Sequence, residues 1–173
     1  MAIRRRKIQT LVERLLAEHK VTEGPVPIEQ IAKGQGARIF FKSLEDNLSG
    51  FAYRDKTQSV IGVNTHQART RQAFTVAHEL GHLLLHDQEQ QLHVDHDFSI
   101  RLRNGVSSEG TDESEIEANL FAAEILMPSK LVASDLRNVE CLDDDGIRAL
   151  AGKYGVSTQA LVIRLSSLGY IKE

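Results

Sequence analysis

The residues His78-Glu79-Leu80-Gly81-His82 form an H-E-x-x-H motif inside an apolar stretch of the chain. Residues four apart on an α-helix lie one turn apart on the same face, so both imidazoles can reach one zinc ion. Glu79, which lies between them, can then reach a water molecule at that ion. The motif therefore predicts a hydrolytic zinc centre in which Glu79 acts as the general base.

A catalytic zinc ion of this kind takes three protein ligands and one water, so a third ligand must come from elsewhere in the chain. His86 continues the spacing, but eight helical residues rise about 12 Å, which is too far for His78 and His86 to bind one ion. The longer pattern H-E-x-x-H-x-x-G-x-x-H needs a glycine and a histidine where this chain has Leu85 and Gln88. The sequence therefore favours a carboxylate on a second helix.

A second helix, predicted at about residues 112–127, offers two candidate carboxylates, Glu115 and Glu117. Glu115 and Asn119 flank the apolar stripe of this helix, so Glu115 can reach the metal while Asn119 hydrogen-bonds a ligand histidine. The two glutamates point about 200° apart around the helix, so only one of them can face the metal. On spacing alone, either glutamate can be the third ligand.

The metal-binding helix is predicted at about residues 67–85, directly after three predicted strands. These strands lie at about 37–41, 48–54 and 59–64, where β-branched and aromatic residues alternate with polar ones. We expect them to form a small antiparallel sheet that packs on the metal-binding helix. A further edge strand is predicted at 98–103.

The segment 86–97 between the metal-binding helix and this last strand is polar and is predicted to be a loop. Four of its side chains could form a second metal site, but we interpret them as solvated loop residues: His93, Asp95, His96 and Asp97. The basic run Arg4–Lys7 is likewise interpreted as a solvated helix start.

The rest of the chain completes an α+β fold. Short helices are predicted at about 129–137, 144–153 and 158–168, and the last two resemble a helix-turn-helix. We expect an N-terminal helix and linker, then a zincin-like catalytic domain with the small antiparallel sheet packed on its metal-binding helix, and then a small helical, helix-turn-helix-like C-terminal region. Their predicted bounds are 1–27, 28–133 and 134–173.

Composition limits the classes of function. The chain of 173 residues is 41% hydrophobic and 26% charged, as expected for a globular protein, and has no apolar run near the ~18 residues of a membrane span. One cysteine, Cys141, allows no internal disulfide and fits the cytoplasm. A net charge of −3, and a single basic residue, Arg164, in the last helix, argue against direct DNA binding.

Taken together, the motifs resemble the ImmA/IrrE family of metallopeptidases. The resemblance covers most of residues 28–170 and depends on three segments: His78-Glu79-x-x-His82, Glu115-x-Glu117-Ala118-Asn119 and Tyr154-Gly155-Val156-Ser157. It implies a Zn²⁺ cofactor held in a gluzincin-like arrangement, with Glu79 as the catalytic residue. The implied ligands are His78, His82 and Glu115, and the alanine and asparagine after the two glutamates favour Glu115 over Glu117.

The resemblance also implies a function. Members of this family cleave specific transcriptional repressors of the helix-turn-helix type, so we expect a cytoplasmic zinc endopeptidase that regulates gene expression by cleaving a partner repressor. The alternative is a zinc-containing binding or sensor module that controls a repressor by binding it, with little or no proteolysis.

Overall fold

The computed structural model describes residues 3–86, 91–96, 109–137, 139 and 142–171. Within these residues the chain forms seven helices and four strands, which confirms the predicted α+β class. The helices are α1 (Arg5–Glu18), α2 (Ile28–Gly34), α3 (Arg69–Leu85), α4 (Glu109–Leu126), α5 (Ser129–Leu136), α6 (Asp144–Tyr154) and α7 (Thr158–Ser167). The strands are β1 (Ala37–Lys42), β2 (Leu48–Arg54), β3 (Ser59–Asn64) and β4 (Gln91–His96). In the described ranges, no helix is both long and apolar enough to cross a bilayer.

The four strands form one sheet in the order β1-β3-β2-β4. Strand β2 is antiparallel to both of its neighbours, whereas β1 is parallel to β3. The sheet is therefore mixed, and the prediction of a purely antiparallel sheet was wrong for β1.

Hydrogen bonds of the Asn64 side chain, at the end of β3, account for the parallel pairing of β1 with β3. Asn64 is fully buried, and its amide group donates to the carbonyls of Glu45 (3.1 Å) and Leu48 (2.7 Å). Its Oδ1 accepts a hydrogen bond from the backbone N–H of Leu44 (3.2 Å). These bonds hold the connection between β1 and β2 across the end of β3, so β1 and β2 lie on opposite sides of that strand.

Strand β4 lies in the segment that was predicted to be a loop, so that prediction was wrong for residues 91–96. The strand pairs antiparallel with β2, and His93 lies opposite Ala52. A polar sequence can form a strand when its backbone pairs with a neighbour, because strand propensity depends mainly on that context. The predicted strand at 98–103, and Asp97, lie outside the described residues.

Helix α3 lies between the sheet and α4, and small residues allow close contact on both of its sides. A Cβ atom at Gly81 would lie 3.1 Å from Phe121 Cδ1 and 3.2 Å from Ala118 Cα, both on α4. On the sheet side, a Cβ atom at Gly50 of β2 would lie 2.5 Å from Thr75 Cγ2. Side chains from α4 and from the sheet can therefore meet those of α3.

The C-terminal helices share the hydrophobic core with the rest of the chain. Tyr154 of α6 and Leu161 and Leu165 of α7 are fully buried in the same cluster as Val12 and Leu15 of α1. Burial of this apolar surface is the main force that holds these helices in place. The predicted bounds of the three regions stay a prediction.

Candidate metal centre

Helix α3 contributes the first part of the site. His78, Glu79 and His82 are at most 1% exposed, although all three are polar. Nε2 of His78 lies 3.1 Å from Nε2 of His82, and the two rings meet edge to face with centroids 4.7 Å apart. The helical spacing therefore brings the two imidazoles together, as the motif predicts, with Glu79 buried on the same turn.

Asn119 of α4 orients the first of these rings. The Nδ1–H group of His78 donates to Oδ1 of Asn119 at 2.9 Å, which leaves Nε2 as the basic nitrogen that faces His82. Burial, and then the nearby His82, lower the pKa of His78 to about 3. His78 is therefore neutral near pH 7, and a neutral imidazole is the form that binds a metal.

Glu115 approaches the two histidines from α4. Its Oε1 lies 3.3 Å from His82 Nε2, and its Oε2 lies 3.7 Å from His78 Nε2. The side chain is only 13% exposed. The sequence analysis left a choice between two glutamates, and Glu115 is the one that the structure brings to the histidines.

Glu117 lies on another side of α4, next to the start of α1. Its carboxylate accepts from the backbone N–H of Arg4 (2.8 Å) and from two nitrogens of the Arg4 guanidinium group (Nε at 2.9 Å and Nη2 at 2.5 Å). These hydrogen bonds lower the pKa of Glu117 to about 2. Arg4 also donates to the carbonyl of Leu85 (3.1 Å), so this residue is an anchor and not a solvated helix start.

The Nε2 atom of His86 is engaged by α4, which fits its exclusion as a ligand, although its ring centroid lies 5.5 Å from that of His82. Its Nε2–H group donates to the carbonyl of Ser114 (3.2 Å), and the same nitrogen lies 3.9 Å from Glu117 Oε2. Burial lowers the pKa of His86, which the neighbouring Glu117 partly offsets.

The sequence analysis missed His93 of β4, which was assigned to a solvated loop. His93 Nε2 lies 3.2 Å from Glu115 Oε1, and its ring stacks on that of His82 with centroids 3.7 Å apart. Its side chain is 17% exposed, whereas the neighbouring Leu92 is 67% exposed. Alternation along this segment carries no signal for His93, because it would turn the apolar Leu92 and Val94, and not His93, towards the core.

The four side chains fit a divalent metal. Each of His78, His82, His93 and Glu115 offers one donor atom, and these atoms all lie within 4.8 Å of one another. Ligand atoms about 2.0–2.1 Å from a tetrahedral zinc ion are about 3.3 Å apart, close to most of the distances given above. Imidazole nitrogen and carboxylate oxygen are also ligands that zinc prefers. The cluster can therefore hold a metal ion.

Sequence comparisons match the chain to a family model and to a phage protein. Residues 32–166 match the model of a peptidase family described as the IrrE N-terminal-like domain. The chain is 30% identical over 140 residues to uncharacterized immunity region protein 2 of Bacillus phage phi105, covering 80% of this chain and 78% of the phage protein.

A solved structure shares the fold. The Mycobacterium tuberculosis transcriptional regulator superposes with a TM-score of 0.62 at 21% sequence identity, over 93% of this chain. The present chain spans only 46% of the length of that regulator. Because the family match covers most of the chain, and includes α3 and α4, the protein belongs to the peptidase family of the IrrE N-terminal-like domain.

Proposed function

We propose that the protein is a cytoplasmic, zinc-dependent endopeptidase that cleaves a partner transcriptional repressor of the helix-turn-helix type. The observation that carries this proposal is the convergence of His78 and His82 from α3 with Glu115 from α4, while Glu79, next to His78 on α3, is fully buried. Burial of polar and ionisable side chains costs free energy unless they are hydrogen-bonded, paired or coordinated to a metal, so the withdrawal of these four side chains from water supports a bound ion.

In this proposal, His78, His82 and Glu115 hold the ion, and Asn119 fixes the ring of His78. A bound zinc ion would supply Lewis-acid chemistry, by polarising a peptide carbonyl and lowering the pKa of water. Glu79 accepts the proton of the attacking water and delivers it to the amide nitrogen of the departing segment. Burial of Glu79 in a low-dielectric site strengthens each of these interactions.

The proposed substrate class depends on the relatives. The phage relative is described as an immunity region protein, which is in keeping with a role in the control of gene expression. Direct DNA binding by this chain is a weaker proposal, because Arg164, the one basic residue of α7, is 6% exposed and pairs with Glu124. A recognition helix needs exposed groups for bases and phosphates.

The test is incubation of the zinc-loaded protein with the helix-turn-helix repressors encoded beside its gene, with fragments identified by mass spectrometry. We expect the wild type to cleave one of them at a single site and Glu79→Gln to retain zinc but lose cleavage. The matched control is His66→Ala, since His66 is exposed, lies outside the metal cluster and contacts Ser43 and Asp46 with its ring. Undiminished cleavage by Glu79→Gln would contradict the assigned role of Glu79.

The alternative function, a zinc-containing module that binds a repressor with little proteolysis, is favoured by one observation: the fourth donor, His93, at the cluster. This alternative predicts that the wild type and Glu79→Gln both form a stable complex with the repressor and leave the repressor chain intact.

A further inference from the structure

We propose that His93 is a fourth ligand of the metal, which closes the centre and makes the described conformation a latent form of the enzyme. The proposal depends on the proposed function of His78, His82 and Glu115 as ligands. It adds a strand residue to a site otherwise built from two helices, and it gives that residue a regulatory role.

The first step in the argument is the position of His93. It lies in the middle of β4, opposite the buried Ala52 of β2, on the face of the sheet that packs on α3. Its ring centroid is 3.7 Å from that of His82 and 5.9 Å from that of His78. His93 is therefore directed at the two histidines of the motif by strand register.

The second step is the geometry of the donor atoms. His93 Nε2 is 3.2 Å from Glu115 Oε1, which is 3.3 Å from His82 Nε2, which is in turn 3.1 Å from His78 Nε2. All three distances are close to the edge of a zinc tetrahedron, about 3.3 Å. The donor atom of His93 thus lies within reach of the same ion as those of Glu115, His82 and His78, since all four lie within 4.8 Å of one another.

The third step is the chemical consequence. Zinc sites with four protein ligands are typically structural, whereas a catalytic site keeps one position for water. A bound ion with His93 in that position would have no place for water, so Glu79 would lack a proton to accept, and the wild type would cleave only in the fraction of molecules whose His93 is withdrawn. Withdrawal of the His93 side chain would open the position, and β4 has only one neighbour in the described sheet to hold it in place.

The experiment counts imidazole ligands in the full-length, zinc-loaded protein by X-ray absorption spectroscopy and measures zinc affinity by competition with a chelator. We expect three imidazoles in the wild type and two in His93→Ala, with zinc affinity lower by at least tenfold. His66→Ala is the matched control and should keep three. Cleavage of the repressor by His93→Ala should be faster than by the wild type, because the fourth position is open.

A second variant separates ligation from folding. His93→Gln keeps a side chain of similar reach, and its metal-free circular dichroism and thermal unfolding should match those of the metal-free wild type. A count of two imidazole ligands in the wild type, or an unchanged zinc affinity in both His93 variants, would overturn the role of His93. Either result would leave the proposed peptidase function intact. Failure of the wild type to bind zinc would overturn both.

Discussion

Helix α4 carries three largely buried glutamates, and what faces each of them differs. Glu117 accepts hydrogen bonds from Arg4, and Glu124 pairs with Arg164 of α7 while also accepting from the backbone N–H and the hydroxyl group of Ser129 (3.1 and 2.8 Å). Glu115 instead faces the imidazoles of three histidines. One helix thus presents the same side chain in two chemical settings.

This difference separates structural carboxylates from a candidate ligand. A guanidinium group is always charged and binds a carboxylate through a fixed fork of N–H donors, so Arg4 and Arg164 serve as permanent counter-ions. The His78 imidazole, whose lowered pKa keeps it neutral near pH 7, provides a basic nitrogen that a metal cation can share with a carboxylate. The arginine-held glutamates should therefore affect stability, and Glu115 should affect metal binding.

The largest effect on stability is expected at the far end of α4. Arg164→Ala leaves the buried Glu124 carboxylate and the Met127 carbonyl without their guanidinium partner, and loss of one member of a buried pair costs about 3–5 kcal/mol. Urea unfolding of the metal-free protein measures this loss. Arg148→Ala, which breaks an exposed pair with Asp145, is the control and should leave stability nearly unchanged. Similar stabilities of Arg164→Ala and Arg148→Ala would show that the pair between Arg164 and Glu124 does not stabilise the fold.

A smaller loss is expected at the other arginine-held glutamate. Glu117→Ala removes hydrogen bonds to a charged group, worth about 1.5–3 kcal/mol, but Arg4 is 34% exposed and can be hydrated in their place. We expect Glu117→Ala to lower the free energy of unfolding in urea by about 1.5 kcal/mol, the lower end of that range. Glu18→Ala, from an exposed pair with Arg14, is the control. A Glu117→Ala protein as stable as this control would show that Arg4 does not anchor the chain.

The smallest effect concerns the orientation of a ligand. Asn119→Ala removes the acceptor for His78 Nδ1–H, and loss of such a contact lowers zinc affinity by about 10- to 100-fold. We expect the zinc affinity to fall about tenfold, because packing also holds the buried ring of His78. Asn119→Asp restores an acceptor and should recover the affinity in a chelator competition. Equal zinc affinities for Asn119→Ala and the wild type would show that the contact does not support the site.

Much of the site could be predicted because its pattern is local. The histidines of α3 are related by one helical turn, and the face that Glu115 shares with Asn119 follows from helix geometry. The choice between Glu115 and Glu117 could not be made from spacing, because it depends on Arg4, which is 113 residues away from Glu117 in the chain. A long-range ion pair leaves no periodic signal in a sequence.

The bounds of the strands could be predicted from the local sequence, whereas their order and direction could not. The bounds of β1, β2 and β3 follow from alternation and turn residues, and they agree closely with the predicted segments. Strand order and direction depend on tertiary contacts, such as the hydrogen bonds of Asn64 that place β1 beside β3. Strand β4 was missed because its polar side chains resemble a loop, and its pairing with β2 is what makes it a strand.

The most direct test compares two glutamates on one helix. Glu115→Ala and Glu117→Ala would each be loaded with zinc, freed of excess ion, and measured for bound zinc per chain by mass spectrometry. The account predicts that Glu117→Ala retains one zinc ion, as the wild type does, and that Glu115→Ala, which keeps only the imidazoles, binds zinc more weakly and retains less of it. Retention of zinc by Glu115→Ala together with its loss by Glu117→Ala would contradict the central claim that Glu115 completes the metal centre.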